Sequence, residues 1–150
     1  MCEKEHLIKL EKYCAYQERC HQEVRLKAQK MGIARIDVDE AMLHLIKNNF
    51  LNEERFAMLF ARSKMNQKRW GPIKIEIELR KKQIGQRLIE KSIGEISPVD
   101  FQKNANYLAN KFIASKSLDL KNYIHTQKLR VFLVSKGYSF DLINKILLKL

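Results

Sequence analysis

Three eleven-residue segments of this chain align without gaps, and that repetition restricts the fold more than any other feature. EVRLKAQKMGI (23–33), KIEIELRKKQI (74–84) and KLRVFLVSKGY (128–138) place Val24, Ile75 and Leu129 in register, then Ala28, Leu79 and Leu133, then Ile33, Ile84 and Tyr138. The spacings are 51 and 54 residues. Repetition at such a period marks modules that cannot each bury a large core and so lean on their neighbours. A short apolar helical pattern follows each segment, ending near Ile46, Ile93 and Leu147. The expected architecture is therefore all-α: three tandem three-helix repeats, at 1–50, 51–96 and 97–150, forming an elongated curved array.

The local patterns agree with helices. Leu7, Leu10 and Cys14 recur at spacings of three and four within residues 5–19, which gives one apolar stripe. Val24, Ala28 and Met31 form the next stripe, which stops at Gly32, a residue tolerant of positive φ. Asp37 with Glu40 reads as a capping box opening a third helix over Ala41, Met42, Leu45 and Ile46. Asn52 caps a fourth, with Phe56, Leu59, Phe60 and Ser63 on one face. After the polar run KMNQKRW, Gly71 and Pro72 turn into another helix, since proline suits its first position. Ser97, Pro98 and Asp100 start a long one through Phe101, Ala105, Leu108 and Phe112, and Ser139 caps the last, over Leu142, Ile143, Ile146 and Leu147.

One stretch argues against its neighbours. Ile73, Ile75, Ile77 and Leu79 alternate strictly with charge or other residues, the period of a half-buried strand. Pro72 at the start, the abundance of Glu, Lys and Arg, and the lack of a partner strand favour a helix that buries residues on two sides.

Charge narrows the function. The chain carries 29 Lys and Arg against 17 Asp and Glu, and the surplus is localised. Residues 1–61 hold ten of each sign, residues 62–91 ten basic against three acidic, and residues 92–150 nine against four. Such a surplus suits a polyanion or an acidic protein surface, although a solvated helical face gives the same count. No apolar run approaches the roughly 18 residues of a membrane span, and the N-terminus lacks the apolar stretch of a secretory signal, so a cytoplasmic location is expected. Three cysteines in irregular spacing favour reduced, packed thiols over a metal site on Cys14, Cys20 and His21. The four histidines are scattered, and the phosphate-binding loop and nucleophile-elbow motifs are absent. A non-catalytic protein without cofactor, metal or small-molecule substrate is the expectation.

Residues 50–84, FLNEERFAMLFARSKMNQKRWGPIKIEIELRKKQI, resemble the central pattern of the RecX family of bacterial recombination regulators. The likeness rests on Arg55-Phe56-Ala57 after an acidic cap, the Trp70-Gly71-Pro72 step, and Ile75, Glu78, Leu79, Arg80 and Lys82 in the next helix. The flanking repeats extend it over most of the chain, more weakly in residues 95–125. Gln83 departs from the pattern, since the family's middle helix usually ends in Lys-Gly; Gly85, two residues on, is expected to take that role. The resemblance implies a curved array of three-helix repeats that binds the RecA recombinase filament on single-stranded DNA. It also implies inhibition of strand exchange and of the coupled ATP hydrolysis, within DNA repair and the SOS response.

The residues expected to meet the filament or its DNA are the densest basic set: Arg62, Lys64, Lys68, Arg69, Lys74, Arg80, Lys81, Lys82, Arg87 and Lys91. Trp70 lies among them, with two readings open: stacking on a base, or packing over the start of the Pro72 helix. Arg80, Lys81 and Lys82 are consecutive and fan around about 200° of a helix, so they cannot share one ligand. Arg25, Lys27 and Lys30 in the first repeat and Lys128 and Arg130 in the third are secondary candidates, while Arg55 reads as a structural partner of a nearby carboxylate. A stand-alone nucleic-acid binder is the alternative function.

Overall fold

The computed structural model describes residues 1–150, and in it the three aligned segments fall on helices that end in the same way. The order is α1 (Lys4–Tyr16), α2 (His21–Lys30), α3 (Arg35–Lys47), α4 (Glu53–Ser63), a π turn (Lys64–Lys68), α5 (Pro72–Lys81), α6 (Gln86–Gly94), α7 (Pro98–Lys116), α8 (Tyr123–Ser135) and α9 (Phe140–Leu148). The aligned segments lie on α2, α5 and α8, the middle helix of each triplet. All nine aligned apolar residues are buried. After each helix one residue turns left-handed: Gly32 at φ +78°, Gln83 at φ +61° and Gly137 at φ +98°. The next N–H then reaches back to close the turn, Ile33 to Ala28 O at 3.1 Å, Ile84 to Leu79 O at 3.1 Å and Tyr138 to Leu133 O at 3.2 Å. This is the six-residue C-cap whose flanking apolar pair is buried together.

Four local expectations change. Gly85 does not supply the left-handed residue: it is extended, at φ −65°, and opens α6, while Gln83 takes the strained position itself. Asp37 is not an N-cap, because α3 already starts at Arg35; its carboxylate binds the N-terminal ammonium at 2.8 Å, and Glu40 accepts the Cys2 N–H at 3.3 Å. On α4 the inward face is Phe56, Ala57 and Ala61, and Leu59 points outward, 51% exposed. On α5 only Ile75 and Leu79 are buried, Ile73 and Ile77 remaining about half exposed, so burial there is one-sided. Asn52, Ser97 and Ser139 do cap their helices, accepting the N–H groups of Arg55, Val99 and Leu142.

Every extensive helix contact lies within a triplet, α1–α3, α4–α6 or α7–α9. The apolar core nevertheless divides in two. One cluster of 11 buried residues, among them Leu10, Cys14, Val24 and Leu45, belongs to the first triplet, and one of 18 runs through the second and third and takes in Cys20 at the start of α2. Cys14 and Cys20 fall in different clusters and do not converge on one ligand site.

The two seams differ accordingly. Between the first and second triplets, Arg55 Nε donates to Glu18 Oε1 at 2.7 Å, and the His21 N–H donates to Glu53 at 3.0 Å. In the same seam Gln22 Nε2 donates to Lys81 O at 3.1 Å, and Lys82 pairs with Glu23 at 3.4 Å. Between the second and third triplets, backbone meets backbone: the Gly71 N–H donates to Lys136 O at 2.7 Å and the Ile73 N–H to Gly137 O at 3.0 Å. A Cβ on Gly71 would lie 2.3 Å from Gly137 O, so only glycine allows this approach. The accessible surface of 9759 Å² exceeds the roughly 8,000 Å² of a compact monomer of this mass, as expected of triplets set in a row.

Candidate functional site

The central basic segment is organised by the π turn. Its wider winding carries Met65 into the core and ends at Arg69, which is left-handed at φ +56°. That turn sends Trp70 and Arg69 in different directions. Trp70 rests edge-on against Phe60, centroids 6.3 Å apart, at the foot of α5. The Lys64 and Lys74 ammonium groups stand 5.2 and 4.7 Å from its ring centroid, a cation–π arrangement that fixes two cations at the mouth of this corner.

Arg69 crosses to the third triplet. Its guanidinium lies 3.7 Å from the Tyr107 ring centroid and donates to Asn104 Oδ1 at 2.8 Å, and Asn104 Nδ2 donates in turn to Met65 O at 3.0 Å. The Tyr138 hydroxyl donates to Arg69 O at 2.6 Å, and burial raises that phenol's pKa well above its ordinary value. Arg69 is thus a brace between triplets.

The other basic residues divide by whether an internal carboxylate already holds them. Arg80 bonds Glu76 at 3.1 Å and Gln86 at 2.7 Å, and Lys81 bonds Glu78 at 3.1 Å. Lys82 belongs to the first seam, and Lys91 pairs with Glu54, whose carboxyl it holds below the usual range by its hydrogen bond and its charge. Arg62, Lys64, Lys68, Lys74 and Arg87 take part in no ion pair. Exposed pairs of the first kind hold their cations weakly and can exchange for an external anion, whereas cations of the second kind need no exchange at all.

The secondary residues do not converge with these. Arg25 pairs with Asp39 at 2.9 Å, Lys27 stands 5.4 Å from the Tyr13 ring centroid, and Lys30 is exposed on the same triplet. Arg130 bonds Asn144, and Lys128 is exposed at the far end of the chain. The histidines have separate structural tasks, His44 on Glu11 at 2.9 Å, His21 near Glu53, His6 near Glu3, and His125 accepting the Asp119 N–H.

Sequence reasoning took only Lys128 and Arg130 from the third triplet. Every ion pair lies within residues 1–91, so none of the nine Lys and Arg beyond residue 96 is in one. Lys103, Tyr107 and Lys111 line one exposed stripe of α7, and the Lys111 ammonium stands 5.8 Å from the Tyr107 centroid. The four-residue spacing of Lys103, Tyr107 and Lys111 was the available signal.

Comparison with known proteins gives a consistent likeness. Residues 52–93 match the family model described as RecX, second three-helix domain. The chain is 30% identical over 134 residues to the regulatory protein RecX of Streptococcus uberis, covering 89% of this chain and 51% of that one. It is likewise 30% identical over 133 residues to the RecX of Bacillus cereus strain B4264, covering 88% and 48%. The chain thus spans about half the length of these curated relatives. The crystal structure of RecX from Lactobacillus salivarius superposes with a TM-score of 0.85 at 26% identity, over 97% of this chain and 94% of that one. A second RecX crystal structure, at 22% identity, shares the fold with a TM-score of 0.86 over 95% of this chain and 70% of its own.

Proposed function

We propose, from the premise that this chain belongs to the RecX family, that it is a non-catalytic regulator that lodges on RecA filaments formed on single-stranded DNA and inhibits their ATP hydrolysis and strand exchange. The observation that carries this reading is the set of unpaired cations, Arg62, Lys64, Lys68, Lys74 and Arg87, on a row of helical triplets whose third member adds eight lysines and one arginine that are in no ion pair. A row of modules can engage several protomers of a helical filament together, while the free cations neutralise nearby phosphate or acidic surface. The work is done inside a cell, on DNA-bound recombinase, and no helix of the chain is long and apolar enough to cross a membrane. Regulation here is by occupancy: the chain adds contacts that the filament must break before it can act.

The test is ATP hydrolysis by the cognate RecA on single-stranded DNA, titrated with this protein near physiological salt, with binding to naked DNA measured alongside. Inhibition at concentrations too low to coat the DNA is the expected result, and hydrolysis and strand exchange that stay unchanged at equal amounts of protein overturn it.

The Lys103–Tyr107–Lys111 stripe favours a second reading, direct binding of nucleic acid without the recombinase. That reading requires tight binding to naked DNA that falls steeply with salt, by a slope of about −0.7 per phosphate neutralised on a single strand. Weak DNA affinity at about 0.15 M salt beside strong filament binding rejects it.

A further inference from the structure

The cations above do not account for an open groove of about 630 Å³ between the end of α7 and the outer face of α8. Its floor is the stacked pair Phe112 and Phe132, rings 4.2 Å apart and 8° from parallel. Ile124 and Val131 form one wall and are 65% and 70% exposed, an uncommon position for large aliphatic side chains on a helix that already buries Leu129 and Leu133. Exposed Tyr123 and Val134 continue the apolar surface to the ends of α8, a strip roughly 16 Å long at 1.5 Å per residue. Lys116 and Lys128 rim the groove, no acidic residue lines it, and neither lysine is in an ion pair. His125 Nδ1 accepts the Asp119 N–H at 2.8 Å, which leaves the neutral ring's proton on Nε2 as a further donor. The neighbouring acid, Asp119, is engaged with the Lys121 N–H at 3.0 Å.

We infer that this groove is a docking site for a helical segment of a protein partner, apolar along one side and acidic beside it. The strip matches three turns of such a helix, laid with its apolar anchors between Phe132, Ile124 and Val131 and its carboxylates toward Lys116, Lys128 and His125. Nucleic acid fits poorly, because the two floor rings spend their faces on each other, the groove's exposed wall of Ile124 and Val131 is aliphatic, and the one exposed ring, Tyr123, lies at the end of the strip outside the groove lining. A small molecule would leave most of a strip this long uncovered. A second copy of this chain would set the same unpaired lysines against one another. The inference rests on the functional reading above, which makes the partner a recombinase protomer. The basic residues then hold the DNA or acidic surface while the groove holds protein.

The test compares the full chain with I124E/V131E, and with I124Q/V131Q as a milder pair, for binding to single-stranded DNA coated with recombinase and to the same DNA naked. Both positions are more than half exposed, so the variants keep wild-type helicity and unfolding midpoint. The expected result is a loss of affinity for coated DNA of about tenfold or more, larger for the Glu pair, with affinity for naked DNA unchanged. A wild type that prefers coated DNA and a folded variant that matches it overturn this inference alone. Equal losses on coated and naked DNA overturn it in favour of a nucleic-acid face, and a wild-type dimer that the variant dissociates overturns it in favour of self-association. A wild type with no preference for coated DNA overturns the functional reading and this inference together.

Discussion

At the scale of single residues, the repeat sets out its own anomaly. Gly32 and Gly137 hold the left-handed position for which glycine has no steric cost, whereas Gln83 holds the same position with a side chain. Gln83→Gly is expected to raise stability by about 1 kcal/mol in urea unfolding, since the strained residue costs about 1–2 kcal/mol and glycine's extra chain entropy returns part of it. Gly71→Ala is expected to destabilise by about 2 kcal/mol or more, because its Cβ meets the Gly137 backbone, which cannot yield as a side-chain tip can. Burial pushes the Cys14 and Cys20 thiols up to about 11. The folded state therefore binds protons that the unfolded chain releases above about pH 9, so stability falls as pH rises from 9 to 11, by roughly 1.4 kcal/mol per thiol and pH unit. The check is a series of denaturation midpoints across that range, with native thiols that react slowly with an alkylating reagent at pH 8.

At the scale of elements, the sequence showed where most helices are and little of how they are spent. Spacings of three and four and the capping residues Asn52, Ser97 and Ser139 appear in the folded chain because they are local, and the 51- and 54-residue register appears because each copy of the pattern folds by the same local rules. The π turn was not legible, since KMNQKRW is polar except at Met65 and Trp70 and nothing local asks for the extra residue; its cause is the distant demand that Met65 enter the core while Arg69 reaches α7. The candidate site divides in the same way. Charge density could be counted, but the partners that occupy Lys82, Lys91 and Arg69 are Glu23, Glu54, Asn104 and Tyr107, each more than 30 residues away along the chain. This separation predicts that Arg69→Ala lowers stability by about 1–3 kcal/mol, by leaving Asn104 and the Tyr107 face without their partner. Lys68→Ala, one residue earlier and exposed, is expected to leave stability within about 0.5 kcal/mol and to weaken binding to DNA or filament. Thermal unfolding of both variants, beside a binding titration, separates the two roles.

At the scale of the whole molecule, the unequal seams make two bodies of three triplets. The second and third share one apolar core and a glycine crossing, and the first has its own smaller core and a seam that is polar except at Cys20. Hydrogen exchange is expected to show the amides of α1–α3 opening before those of α5 and α8, with the gap widening as salt weakens the Arg55–Glu18 and Lys82–Glu23 pairs; uniform protection across the nine helices would reject that division. The same polar seam bears on how the protein leaves a partner it has bound. A ligand in one rigid piece departs in a single event, at a rate its surroundings do not change. Two bodies hinged on exchangeable hydrogen bonds can release one footing while the other holds, and a rival molecule can occupy the vacated ground before it closes again. Residence time then becomes a property of the crowd around the complex, shortening as competitors accumulate, even where the equilibrium affinity of each contact stays the same.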